Sequence, residues 1–186
     1  MATLMKFSRP DDEAQAYIYP DVWSIEETSA GPRLVIAPAS SQVHLVRRLL
    51  DSMPGPWWLL YVLVAPRGGG HAGRYQSPQP GTREEIEEFL SEFQSFLETY
   101  GRHHLWIASS ATPDLLVYDR HNLIYAYGSL DDRKPILAQN GLEEAASIYP
   151  PDPHTHYYHE IFDGEERKIL AFLPWIFTPL RPQDEE

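Results

Sequence analysis

The sequence predicts an α+β domain, an antiparallel or mixed sheet of about six strands packed against two to four helices. Three observations carry this expectation: two stretches that read as β-hairpins, one nearly unbroken apolar run at 57–65, and one strongly amphipathic helix beginning at Thr82. Short hairpin connections join antiparallel neighbours, which favours this class over an α/β three-layer arrangement.

The elements follow in chain order. Residues 22–28 alternate as a half-buried strand, Ser29-Ala30-Gly31-Pro32 supply turn residues, and 33–37 return as a second strand. Ser40 or Ser41 can cap a helix whose Val43, Val46, Leu50 and Met53 recur every three or four positions, and Pro54-Gly55-Pro56 ends it. Residues 57–65 are apolar at almost every position, as in a strand covered on both faces, and are expected to be the central strand. The Gly- and Pro-rich stretch 66–81 reads as a long loop.

Thr82 and Glu85 form a capping-box pattern ahead of Ile86, Phe89, Leu90, Phe93, Phe96, Leu97 and Tyr100, a stripe at helical spacing that Gly101 stops. Three strands are expected at 104–109, 115–118 and 123–127, the last two joined by Asp119-Arg120-His121-Asn122. A weaker helix falls within 131–146. Asp163 and Glu166 repeat the capping-box spacing and predict a helix running to Leu173, ended by Pro174. Neither a repeat nor a shift of composition divides 1–186, so one domain is expected, with 181–186 frayed.

Composition excludes several functions. With 15 basic against 27 acidic side chains the formal charge is -12, which repels phosphate backbones and argues against sequence-independent nucleic-acid binding. The same field favours approach to a basic partner. Cysteine is absent, so thiol nucleophiles, disulfides and Cys-ligated metals are excluded. The longest apolar stretch, 57–66, is about half the length of a membrane-spanning helix, and residues 1–16 lack the apolar run of a signal segment. The expected location is the cytoplasm, away from membranes.

Two surfaces could carry function. Tyr118 lies on one strand of the later hairpin and Tyr125 and Tyr127 on the other, and tyrosine is an efficient anchor at protein interfaces. Arg outnumbers Lys twelve to three, and Arg67 and Arg74 flank a Gly-rich loop whose N–H groups could hold an anion. These residues support a binding module without cofactor that contacts another, basic protein, in the manner of an acidic antagonist or immunity protein. The second surface is His154-Thr155-His156-Tyr157-Tyr158-His159-Glu160 with Asp163 behind it. In extended backbone, His154 and His156 project to one side about 7 Å apart, close enough to converge on zinc or a similar divalent ion. His159 or Asp163 could complete the site, with Glu160 as the general base of a metal-dependent hydrolase. The run does not follow the HExxH pattern, and Ser109 or Ser110 has no G-x-S-x-G context that would make it a nucleophile.

Overall fold

A computed structural model describes residues 4–12, 15–67 and 69–184. Eleven strands and five α-helices are formed among the described residues, an α+β architecture with more and shorter elements than expected. The expected hairpin is present as β2 (Val22–Thr28) and β3 (Gly31–Ala37), paired along their full length around Gly31 at φ 107°, a conformation that favours glycine. After α1 (Gln42–Leu50) comes β4 (Trp57–Leu63), which pairs antiparallel with both β5 (Gly73–Gln76) and β6 (His103–Ser109). The hairpin of β7 (Leu115–Tyr118) and β8 (Ile124–Tyr127) then joins β6 to β3.

With β9 (Glu143–Glu144) and β11 (Ile176–Thr178) at its edges, the main sheet has the order β11-β5-β4-β6-β7-β8-β3-β2-β9. It is antiparallel except for β2 with β9, hence mixed. The apolar run at β4 is interior but not central; β7 holds the middle place. Trp58 and Leu60 are only half-buried, so one face of β4 is partly open instead of covered. A separate two-stranded sheet joins β1 (Phe7–Ser8) to β10 (Thr155–His156). The strands beyond the expected six are two to four residues long, too short for alternation to register. One of them, β5, lies within the stretch read as loop.

The capping box forms as expected: Glu85 N–H donates to Thr82 Oγ1 at 3.3 Å, and Thr82 N–H to Glu85 Oε2 at 2.7 Å. The helix it opens is divided at Phe93 (φ -105°, ψ 11°) into α2 (Arg83–Glu92) and α3 (Gln94–Thr99). The apolar stripe survives the break, with Phe89, Phe93, Phe96 and Leu97 all buried. The later helices are α4 (Leu130–Gln139) and α5 (Asp163–Phe172). The second capping box does not form. Asp163 is already helical, and Glu166 is fully buried, accepting from the Arg67 N–H at 2.9 Å and the Tyr100 hydroxyl at 3.2 Å.

Strand alternation builds two cores. Leu34, Ile36, Leu59, Tyr61, Leu105, Ile107, Leu116 and Ala126 meet the helices on one face. On the other, Val35, Ala37 and Leu123 meet Phe7 and Tyr19 from the N-terminal segment, which covers only part of the sheet. The C-terminal residues expected to fray are held as far as Asp184. They form a 3-10 turn, and Asp184 is buried in an ion pair with Arg74. Residues 185–186 lie outside the described residues. No helix of the described residues is long and apolar enough to cross a membrane.

Candidate metal centre

His154 and His156 converge as their spacing predicts, and the third member of the group is His121 from the loop between β7 and β8. The three ring centroids form a triangle of 4.8 Å on each side, and one nitrogen from each lies within 4.8 Å of the others. Phe7, on the strand paired with β10, packs its ring 5.9 to 6.2 Å from all three.

Each imidazole is held by its own neighbourhood. The buried carboxylate of Asp119 closes the β7–β8 loop by accepting the N–H groups of His121 and Leu123, each at 2.8 Å. Its other oxygen lies 2.8 Å from His121 Nδ1. Burial alone would raise the Asp119 carboxyl; the bond from His121 and the charges of His121, His104 and Lys6 reverse the sign and hold it below the ordinary value. As an anion it can only accept, so His121 Nδ1 carries the proton. His154 Nδ1 lies 2.7 Å from the Pro151 carbonyl, again a pure acceptor, and must likewise donate.

The two remaining nitrogens, His121 Nε2 and His154 Nε2, face each other at 3.2 Å. In neutral rings both are bare lone pairs and repel. One shared proton, or one cation between them, removes the repulsion. Two nitrogens on a tetrahedral zinc-class ion at about 2.0 Å lie roughly 3.3 Å apart, which is the spacing found. His156 adds two buried nitrogens with no hydrogen-bond partner among the described residues. Burial, then the charges of His121, Arg120 and His154, push its pKa down to about 3, so it is a neutral imidazole at physiological pH. Gly101 lies against it: a Cβ there would fall 3.1 Å from His156 Nδ1 and 2.3 Å from the Lys6 carbonyl. A side chain at 101 would therefore displace the ligand strand.

The other expected site residues lie elsewhere. His159 turns to the backbone of Met5, with Nε2 3.0 Å from the carbonyl. Asp163 and Glu160 both pair with Arg67, and Glu160 is 84% exposed, so neither reaches the histidines. Arg67 is therefore a clamp on this segment, and Arg74 serves Asp184; the two do not share an anion site. Tyr118 is buried beneath the Lys6 ammonium, 3.9 Å from its ring centre. Tyr125 and Tyr127 are half-buried on the open sheet face, where Arg33 stacks on Tyr125 at 4.2 Å and donates to the Tyr127 hydroxyl at 2.6 Å.

That open face holds a cavity of about 400 Å³. Its floor is Trp106, Leu115, Val117, Tyr125 and Tyr127, and Asp119 and His121 stand at its wall. One residue of the triangle, His121, thus belongs to both metal group and cavity. From the sequence, His121 sits in a hairpin loop and is one of several histidines, with His71, His103 and His104, that could meet the His154 cluster in space. The local sign of its role is Asp119 two residues earlier, a carboxylate within reach of the ring. Comparison with known proteins adds no assignment: no family model, curated protein or solved structure matches this chain.

Proposed function

We propose that the protein binds one divalent ion of the zinc class at His121, His154 and His156. The ion would present an oxygen ligand, water or a substrate oxygen, to the adjacent cavity. The observation that carries this reading is the 3.2 Å approach of two Nε2 atoms whose opposite nitrogens both point at pure acceptors. Histidine that donates to a carboxylate or carbonyl while its other nitrogen ligates is the usual arrangement of a metal site. Three protein nitrogens with a fourth position left over is the composition of a hydrolytic zinc centre, in which the bound water ionises near neutral pH.

This reading differs from a His154, His156 and His159 site. Glu160, paired with Arg67 and exposed, is not its general base. The alternative of a protein-binding module drawn to a basic partner rests on the net charge of -12, on the tyrosines of the 115–127 hairpin and on the lack of a complete catalytic motif in the sequence. It has no comparable geometric support, because the tyrosines expected at its surface are buried or engaged with Arg33.

The test is competition for zinc against a chromophoric chelator, with absorption of the cobalt-loaded protein as a second readout. One equivalent should bind. Alanine at His121, His154 or His156 should each weaken binding at least 100-fold, while His159→Ala should change it less than threefold. Absence of stoichiometric binding, or equal loss from His159→Ala, overturns the proposal.

A further inference from the structure

Charge compensation around the cavity indicates what such a centre would bind. Arg33 is neutralised by Glu26 at 2.6 Å, and Arg74 by Asp184. Asp119 is opposed by the buried Lys6, whose ammonium donates to the Asp119 carbonyl at 2.8 Å. The three histidines contribute no charge as neutral ligands. Glu98 also acts on Lys6, and Arg120 on His156. A dication placed among neutral imidazoles has Asp119 as the one carboxylate bonded to its ligands among the described residues, and lies where burial makes unpaired charge costly. An anionic fourth ligand would lower that charge further. Beside it the cavity floor is apolar and aromatic, and its volume of about 400 Å³ is that of a small-molecule site.

We infer that the cavity and the metal centre together form a site for a small monoanion with an apolar or aromatic body, of the carboxylate class. The anionic oxygen would lie on the metal beside His121, and the body would lie along Leu115 and Val117, between Arg33 on Tyr125 and Arg74 on Trp106. The inference rests on the metal-binding reading above and adds the class of ligand. An uncharged aromatic compound would leave the dication unbalanced. A bare anion such as acetate would leave the floor wet.

The experiment titrates cobalt-loaded protein with 2-naphthoate, acetate and 2-naphthol, following the visible cobalt spectrum and tryptophan fluorescence. Naphthoate should shift the cobalt bands and bind at least tenfold tighter than either of the others. Val117→Trp, which fills the floor, and Trp106→Ala, which removes part of it, should each weaken naphthoate at least tenfold. Both should leave acetate and cobalt affinity within about twofold. Cobalt bound in one equivalent, with naphthoate no tighter than acetate or insensitive to both substitutions, overturns this inference and leaves the metal reading intact. Failure of cobalt to bind overturns both.

Discussion

Lys6 offers the sharpest test of the electrostatics around the site. It is 2% exposed, and burial pushes its pKa down from 10.5 to about 7, against the opposing pull of Asp119 and Glu98. Between those two values the unfolded chain holds a proton on this lysine that the folded chain has released. Folded stability is therefore fully present above pH 10.5 and is lost as pH falls toward 7, at up to about 1.4 kcal/mol per pH unit. In Lys6→Met the stem still covers Tyr118 but nothing titrates, and the Asp119 carbonyl keeps the Asn122 N–H as a donor at 3.3 Å. Packing and hydrogen-bond changes are the same at both ends of the pH range, so the difference between the two proteins isolates the proton. Urea unfolding of both in chelator should show Lys6→Met gaining about 3 kcal/mol on the wild type between pH 10 and pH 7. A gap that is independent of pH within about 0.5 kcal/mol would refute the assignment of a desolvated lysine.

Phe93→Ala should cost about 3 to 5 kcal/mol in denaturant titrations, because Phe93 is 1% exposed and packs on Phe89 and Phe172; exposed Glu92→Ala should stay within about 0.5 kcal/mol. Equal losses would mean that the buried face is misassigned. Asp119→Asn should weaken zinc binding about 10- to 100-fold in the chelator competition, since the group that orients His121 loses its charge. Arg133, fully buried, donates to Asp114 at 2.6 Å and to the Tyr127 carbonyl at 2.6 Å, so Arg133→Ala should cost about 3 to 5 kcal/mol by stranding the Asp114 carboxylate. The double change Asp114→Asn with Arg133→Met should be milder in the same calorimetric or denaturant assay, and additivity of the two single losses would argue against a coupled pair.

Much of the framework was legible in the chain because it depends on local periodicity. The β2–β3 and β7–β8 hairpins, the capping box at Thr82 and the buried stripe of α2 and α3 follow from alternation, turn residues and side-chain reach over a few positions. The break at Phe93 was not legible, since the apolar spacing is the same on both sides of it. Nor was β11, whose Ile176 and Phe177 are exposed at a sheet edge and show no buried face to alternate with.

The candidate site divides in the same way. That His154 and His156 could face one point is readable in the chain, because a two-residue step along extended backbone returns a side chain to the same side. The absence of cysteine likewise excludes thiol nucleophiles and Cys ligands from the chain alone. Long-range packing makes His121, 33 residues from His154, the third member and turns His159, Glu160 and Asp163 elsewhere. Pairing of β1 with β10 carries the histidine strand to the β7–β8 loop, while Arg67 holds the two carboxylates in ion pairs of its own. Such long-range pairings are set by which strand edges and charges remain unsatisfied once the main sheet has formed, and no window of neighbouring residues contains that information.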